Sequence, residues 1–300
     1  MNDKKWVWRN GELIPEEKAT VPLLSHALSR GSAVFEVFGT HPGPSGTMAF
    51  RMDEHLKRLA ISLQWLEMEL SCTIDELTHG VKEVVAANGV GRGLVKILAF
   101  WGEEAVIDLV PRVPLDVAIF AIPNGEELSL DRWRNISVCI SRWRKLHPET
   151  APVEAKACAN YLNGYLARKD AQDRGFDVGL LVGTDGFLAE GSVEAVFLIQ
   201  DGGLITPPSH RILRSITRQS ILEAAPVAGI PAREEAVLPK ALFSADEIFT
   251  SHSAVKVSPV ERVEDRKLDA PGLVTRRLLE LMDDIINFRD DRFAAWFQPL

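Results

Sequence analysis

The sequence has few cysteines and no long apolar run. Its 300 residues contain three cysteines, Cys72, Cys139 and Cys158, without any Cys-x-x-Cys spacing. An odd number of isolated cysteines excludes a disulfide framework and is typical of buried thiols in a reducing compartment. The longest apolar runs, such as 97–101 and 195–199, are far shorter than the roughly 20 residues that a membrane-spanning helix needs. We therefore expect a cytoplasmic protein that does not cross a membrane.

Positive charge is also scarce. The chain has 34 Lys and Arg against 42 Asp and Glu, which gives a formal net charge of −8, so a nucleic-acid partner is not expected. The seven histidines show no zinc-ligand spacing with each other or with cysteine, so no metal site is predicted. A chain of 300 residues with 46% hydrophobic content can form one large or two ordinary globular domains.

Turn signals and periodicity predict that the chain begins with two hairpins and two helices. Asn10-Gly11 lies between two extended runs, which is a strong hairpin signal. The glycines around Pro44 form the turn of a second hairpin. Asp53 is the candidate cap of the first helix, and Thr73 forms a capping box with the Glu three residues later.

The rest of the chain mixes strands and helices. The polar stretch 124–132 is the best linker candidate. We therefore expect an α+β protein with a small N-terminal domain over 1–123, a linker over 124–132 and a larger C-terminal domain over 133–300. Further strands are predicted at 94–101, 116–123, 136–140, 179–182, 193–200, 204–206 and 247–250, and helices at 160–173, 217–225 and 273–288.

One lysine lies in an unusual setting. Lys156 stands among small and apolar residues just before the helix predicted at 160–173. Desolvation there can lower the pKa of an amine, which can then attack a carbonyl, the first reaction of a lysine with pyridoxal phosphate. A lysine whose stem lies along a helix start gives the same local pattern. Both interpretations stay open on this segment alone.

The order of motifs around Lys156 resembles the fold type IV, or class IV, pyridoxal-phosphate enzymes over nearly the whole chain. This family includes branched-chain aminotransferases, D-amino acid aminotransferases and aminodeoxychorismate lyases. The matching motifs are Phe-Arg-x-x-Glu-His-x-x-Arg-Leu at 50–59, the lysine segment 143–162, Glu-Gly-Ser at 190–192 and Leu-Arg-Ser-Ile-Thr-Arg at 213–218. The resemblance implies a small N-terminal α/β sandwich and a larger C-terminal pseudo-barrel domain that carries the Schiff-base lysine.

The same resemblance implies roles for individual residues. Lys156 is expected to be the catalytic lysine, Arg51 to bind the cofactor phosphate, and Glu190 to bond the pyridine nitrogen and keep it protonated. The other expected cofactor contacts are Tyr161, Leu213, Ile216, Thr217 and Ser253, and the expected substrate contacts are Phe35, Lys96 and Ala254.

Three positions depart from the family pattern. Ala195 replaces an Asn that usually follows the nitrogen-binding carboxylate. Lys96 replaces the Arg of the branched-chain enzymes' Tyr-x-Arg and is more similar to the lyase branch, whereas Val37 replaces the lyases' Thr. Because Lys156 and Glu190 are both retained, we expect an active enzyme with an altered environment around the cofactor ring.

The expected function is transamination between a hydrophobic or branched-chain amino acid and a 2-oxo acid such as 2-oxoglutarate. The resemblance also implies a homodimer. Three alternatives stay open: an aminodeoxychorismate lyase that releases p-aminobenzoate and pyruvate, a D-amino acid aminotransferase, and a protein that binds pyridoxal phosphate without turnover.

Overall fold

A computed structural model describes residues 5–126 and 128–300. Its internal contacts divide the chain into two compact units. The first contains the residues up to Leu130 together with Ala155–Ala159 and Asn287–Leu300, and the second contains Asp131–Glu154 and Asn160–Ile286. The linker predicted at 124–132 stays a prediction.

Lys156 belongs to the first unit by its contacts. The backbone N–H of Phe35 donates to the carbonyl oxygen of Lys156 at 3.1 Å. Ala157 forms an isolated antiparallel bridge with Val34. The short segment around Lys156 therefore pairs with a strand that lies more than a hundred residues earlier in the chain.

Strands and helices are mixed along the chain. The strands are β1 Trp6–Arg9, β2 Glu12–Pro15, β3 Ala33–Gly43, β4 Gly46–Phe50, β5 Gly93–Phe100, β6 Asp116–Pro123, β7 Ile136–Arg144, β8 Val178–Val182, β9 Ala195–Gln200, β10 Gly203–Thr206, β11 Ala232–Glu234, β12 Glu247–Ser251, β13 Ser258–Val263, β14 Arg266–Lys267 and β15 Phe297–Pro299. The α-helices are α1 His26–Arg30, α2 Met52–Trp65, α3 Ile74–Ala87, α4 Tyr161–Asp173, α5 Ile216–Ala224 and α6 Leu273–Ile286.

The first unit contains an antiparallel seven-stranded sheet in the order β15-β4-β3-β5-β6-β1-β2. Helices α2 and α3 pack against it through an apolar core of leucine, valine and isoleucine side chains. Trp8 of β1 lies against Gly80 of α3, where a Cβ atom would stand 2.6 Å from the indole. Only glycine lets this helix approach the sheet so closely.

The two predicted hairpins and the two helices after them are present, but the short helix α1 was not predicted and one helix cap differs. Asn10 and Gly11 have φ angles of 49° and 97°, as a type I′ hairpin turn requires, and Thr73 and Glu76 form the predicted capping box. The prediction of Asp53 as a cap is wrong, because Arg51 occupies the N-cap position of α2. The side chain of Gln298 accepts the Met52 N–H at 2.8 Å instead.

The second unit contains a mixed sheet in the order β11-β10-β9-β12-β13-β7-β8, with β14 paired to β13. The pairs β10/β11, β7/β13 and β7/β8 are parallel, and the others are antiparallel. Helix α4 packs on β7 and β8, and α6 packs on β12. The α+β class is therefore confirmed. No helix of the described chain has the length and apolar character needed to cross a membrane.

Candidate active site

Lys156 is held at its backbone from two sides. Its N–H donates to the hydroxyl of Ser62 on α2 at 3.1 Å, and its carbonyl oxygen accepts the N–H of Phe35 on β3. The residue is only 7% exposed, and its Nζ lies 4.5 Å from the centre of the Phe35 ring. The lysine therefore presents a buried amine over an aromatic ring.

Lys96 also approaches the Phe35 ring. It pairs directly with Val37 across β3 and β5, so its side chain lies on the same side of the sheet as Phe35. Its Nζ lies 5.4 Å from the centre of the Phe35 ring. Three predicted site residues, Phe35, Lys96 and Lys156, therefore come together in the first unit and form a cationic, partly aromatic surface.

The opposite side of β3 carries a buried charged cluster of Glu36, His55 and Arg58. Arg58 donates to both carboxylate oxygens of Glu36, with distances of 2.8 and 2.6 Å, and His55 Nδ1 lies 2.7 Å from Glu36 Oε2. Burial raises the pKa of Glu36, but the charge of Arg58 and these hydrogen bonds outweigh it and lower the pKa to about 2. Burial lowers the pKa of His55 to about 4, so His55 is neutral and donates its Nδ1 hydrogen.

Arg51 is buried at the start of α2, with an unfavourable backbone. Its φ of 52° is left-handed, which a non-glycine residue adopts only when the surroundings hold it there. Its N–H donates to the carbonyl of Trp296 at 2.6 Å, and its guanidinium lies 4.6 Å from the centre of the Trp296 ring. Arg51 and Arg58 are both buried, so they do not form a solvated ion-pair face.

In the second unit, Glu190 is positioned by an extended run beside β8. Leu181 and Glu190 are joined by a backbone hydrogen bond of 2.8 Å. The Leu213 N–H donates a hydrogen bond of 3.2 Å to Glu190 Oε2, and Glu190 Oε1 lies 2.5 Å from Lys145 Nζ. The structure therefore brings the predicted residues Glu190 and Leu213 together. It adds the buried Lys145, for which no separate signal exists in the sequence.

The start of α5 carries the predicted Ile216 and Thr217. Ser215 caps the helix, because its hydroxyl accepts the N–H of Arg218 at 3.2 Å. The first N–H groups of a helix have no partner within the helix and favour an anion. The Arg218 side chain is buried, donates to the carbonyl of Pro207 at 2.6 Å and holds this helix start against the end of β10.

The end of β12 leads into the predicted Ser253 and Ala254. The hydroxyls of Thr250 and Ser251 are fully buried there and find no hydrogen-bond partner among the described residues. Ser251 pairs directly with Ala195 of β9, at the position where the family usually has an Asn. Two unsatisfied buried hydroxyls next to Ser253 are unusual, because such groups normally have a partner.

The predicted site residues thus divide between the two units. Phe35, Arg51, Lys96 and Lys156 belong to the first unit, and Tyr161, Glu190, Leu213, Ile216, Thr217, Ser253 and Ala254 belong to the second. Tyr161 is the first residue of α4 and is partly buried. The roles of these residues as cofactor or substrate contacts stay predictions.

Known proteins resemble this chain over its whole length. Residues 33–263 match the family model described as amino-transferase class IV. The branched-chain-amino-acid aminotransferase of Salmonella typhimurium is 32% identical over 307 residues, which cover 100% of this chain and 99% of the relative. The Thermoproteus uzoniensis branched-chain aminotransferase with norvaline has a TM-score of 0.92 at 31% identity, with 99% of both chains covered.

A second similar structure was solved with a form of the cofactor bound. The T.th. branched-chain amino acid aminotransferase with pyridoxamine 5′-phosphate has a TM-score of 0.91 at 31% identity, with 98% of both chains covered. These similarities confirm the fold type and the family that the motifs predicted. The chain belongs to the class IV aminotransferase family.

Proposed function

We propose that this chain is a pyridoxal-phosphate-dependent aminotransferase that acts on branched-chain or other hydrophobic amino acids, with a 2-oxo acid such as 2-oxoglutarate as the acceptor. One observation carries the proposal: in a chain of this family, Lys156 is a buried amine on the face of Phe35. The relatives that support the substrate class are named branched-chain aminotransferases.

Several residues of the second unit fit the cofactor. The start of α5, with Ile216 and Thr217, offers N–H groups to a phosphate. The buried hydroxyls of Thr250 and Ser251 have hydrogen-bonding capacity that no described residue uses. The carboxylate of Glu190 suits a protonated pyridine nitrogen. When bound, pyridoxal phosphate supplies an electron sink for negative charge at the substrate Cα.

The chain's own residues supply proton transfer and orientation. Lys156 removes the proton from the substrate Cα and returns one as general base and acid. Phe35 covers the amine and keeps water from that side. Lys96 offers a positive charge to the substrate carboxylate, and the neighbouring Val37 favours an apolar side chain.

An absorption experiment tests the proposal. The purified protein is loaded with pyridoxal phosphate, and spectra are recorded alone and with leucine, D-alanine or glutamate. We expect a visible band from the bound cofactor that leucine and glutamate convert to the pyridoxamine form, and 2-oxoglutarate should restore it. Lys156→Ala should lose the lysine-dependent band, whereas Lys169→Ala, at an exposed position on α4, should keep it.

The other outcomes separate the alternatives. Conversion by D-alanine alone would favour a D-amino acid aminotransferase. Release of p-aminobenzoate from aminodeoxychorismate would favour a lyase. A cofactor band that no amino acid changes would indicate binding without turnover, and a protein that takes up no pyridoxal phosphate would refute the proposal.

The homodimer is supported by an apolar patch on the first unit. The backbone N–H of Ala105 donates to the carbonyl of Leu24 at 3.1 Å, and His26 Nε2 lies 3.1 Å from the carbonyl of Leu109, so α1 and the loop after β5 form one surface. The apolar patch consists of side chains that are 53% to 89% exposed, namely Leu23, Leu24, Leu28, Val106, Ile107, Leu109 and Val110.

A contiguous exposed patch of this kind is typical of a protein interface, and a second copy of the chain would cover it. Light scattering should give twice the 33.2 kDa chain mass. Ile107→Asp should shift the protein to monomers, whereas Leu273→Asp, at another exposed apolar position, should not. A monomeric wild-type protein would refute the dimer.

A cytoplasmic location is the last part of the proposal. Cys72, Cys139 and Cys158 are free thiols, and burial raises the pKa of Cys139 to about 11. Unpaired, protonated thiols suit a reducing compartment. Subcellular fractionation should recover the protein with cytosolic markers, and recovery in a secreted or membrane fraction would contradict this.

A further inference from the structure

Two charged side chains lie behind the turn that carries Ser253 and Ala254. Lys256 Nζ donates a hydrogen bond to the carbonyl oxygen of Ser253 and lies 3.7 Å from Asp131 Oδ1. The backbone N–H of Asp131 donates to the carbonyl oxygen of Ala254 at 2.9 Å. Both side chains are buried, with 5% and 10% exposed. Two consecutive carbonyls of the turn are therefore held, one by the ammonium group of Lys256 and one by the backbone N–H of its ion-pair partner Asp131.

This arrangement fixes the direction of the peptide N–H groups. In a trans peptide the N–H points away from the carbonyl of the same plane. Because the carbonyls of Ser253 and Ala254 point to Lys256 and Asp131, the N–H groups of Ala254 and Val255 point to the other side of the turn. On that side the Ala254 N–H donates a hydrogen bond of 3.3 Å to His252 Nδ1, so a carboxylate at this turn would compete with the imidazole for that hydrogen. Successive N–H groups that point the same way attract an anion.

We propose that Lys256 and Asp131 are positioning residues that set this turn for the carboxylate of the substrate. The inference rests on the proposed aminotransferase function, in which Ala254 contacts the substrate. Lys256 acts through the Ser253 carbonyl and does not touch the substrate. A buried ion pair adds little net stability compared with apolar side chains of similar size, so the fixed geometry of the turn is what this pair provides.

The surroundings allow the pair to be changed without overpacking. Lys256 and Asp131 line a cavity of about 330 Å³ whose other walls include Trp133, Val255 and Met282. Lys256→Met removes the ammonium group and keeps an unbranched side chain that is one atom shorter. Lys256→Arg keeps the charge, and the cavity has room for the larger guanidinium.

The test compares binding of a carboxylate with catalysis. The dissociation constant of 4-methylvalerate, a branched carboxylate without an amino group, is measured on the cofactor-loaded protein from the change in its absorption. Lys256→Met should raise this constant and the KM for leucine about tenfold, the effect of weakening one hydrogen bond to a charged group. The kcat should stay within about threefold. Lys256→Arg should recover most of the binding, and Lys267→Met, at an exposed lysine of β14, should match the wild type.

Each outcome decides the proposal. A folded Lys256→Met protein with unchanged 4-methylvalerate binding and KM would overturn it, even if its thermal midpoint falls. If this variant does not fold, the same constants are measured for Asp131→Asn, which removes the charge of Asp131 and keeps its backbone N–H. A rise of about threefold in the dissociation constant of 4-methylvalerate supports the proposal, and no rise overturns it. Absence of transamination in the wild type would refute the proposed function instead, while the binding constants would still decide the role of Lys256.

Discussion

Glu36 and Arg58 form a bidentate ion pair in which both side chains are buried. Arg58 lies four residues before Ser62 on α2, and the Ser62 hydroxyl accepts the backbone N–H of Lys156. Residues four apart lie on the same face of a helix. The ion pair therefore fixes α2 to β3 on the helix face that also positions the backbone of the candidate catalytic lysine.

Loss of one partner of this pair should be costly. Glu36→Gln leaves the buried guanidinium of Arg58 without its counter-charge and should lower the free energy of unfolding by about 3–5 kcal/mol. Urea unfolding of the cofactor-free protein measures this change. Glu54→Gln is the matched control, because Glu54 forms only a partly exposed pair with Lys57 at 4.0 Å. This substitution should change the free energy of unfolding by less than about 1 kcal/mol. An equally small effect of Glu36→Gln would contradict the structure.

The buried His55 predicts how stability depends on pH. Its pKa is lowered by burial to about 4 from 6.5, so between these values the unfolded chain binds more protons than the folded protein. The free energy of unfolding should therefore fall as pH falls from about 6.5 to 4. Glu36, whose pKa is lowered to about 2 from 4.5, should lose its contribution only as pH falls through that lower window.

His55→Asn isolates the histidine, because an amide can keep the hydrogen bond to Glu36 without titrating. The free energy of unfolding, measured at pH 7, 5.5 and 4.5, should fall less steeply with decreasing pH in this variant than in the wild type. His79→Asn is the control, since His79 is exposed on α3, and its pH dependence should match the wild type. Equal slopes for His55→Asn and wild type would show that His55 is not kept neutral.

Local signals predicted the fold where the chain folds with its sequence neighbours. The Asn10-Gly11 turn and the Thr73 capping box depend on contacts within four residues, and both are present. The cap of α2 was predicted wrongly because a residue 246 positions away, Gln298, satisfies the Met52 N–H. Strand β13 was not predicted, because Pro259 at its second residue resembles a turn signal.

The candidate site shows the same limit. Sequence motifs indicated Lys156, Glu190 and the start of α5, because a family keeps these residues in order along the chain. The partners of these residues come from distant positions: Lys145 lies 45 residues before Glu190, and Asp131 lies well over a hundred residues before Lys256. Spacing along the chain does not show such pairs, since they form only when the strands pack.

Lys96 should control substrate binding more than turnover. Lys96→Met removes the positive charge that lies beside Phe35 and should raise the KM for leucine about 10-fold to 100-fold, the effect of one lost hydrogen bond to a charged group. The kcat should change by less than about threefold, because the interaction is equal in the ground and transition states. Steady-state kinetics with 2-oxoglutarate measure both values.

Two variants sharpen this prediction. Lys96→Arg keeps the charge and should keep KM within about fivefold of the wild type. Lys82→Met removes an exposed lysine of α3 and should leave both constants unchanged. A fall in kcat at unchanged KM for Lys96→Met would assign Lys96 to the chemical step instead of to substrate binding.

The hydroxyl of Ser251 should matter for the cofactor and not for folding. It is buried without a hydrogen-bond partner in the described part of the chain, so Ser251→Ala should leave the unfolding free energy of the cofactor-free protein unchanged or raise it by up to about 1 kcal/mol. Ser137→Ala is the matched control. Its buried hydroxyl donates to Asp177 at 2.8 Å, and its loss should cost about 1.5–3 kcal/mol.

The same variant tests whether the cofactor uses this hydroxyl. If a phosphate oxygen accepts its hydrogen, Ser251→Ala should raise the dissociation constant of pyridoxal phosphate about tenfold, because the lost hydrogen bond is to a charged group. Ser137→Ala should leave that constant unchanged. The opposite result is a cofactor-free Ser251→Ala protein whose free energy of unfolding falls by more than about 1 kcal/mol and which still binds pyridoxal phosphate normally. It would show that the hydroxyl has a structural partner and no role in cofactor binding.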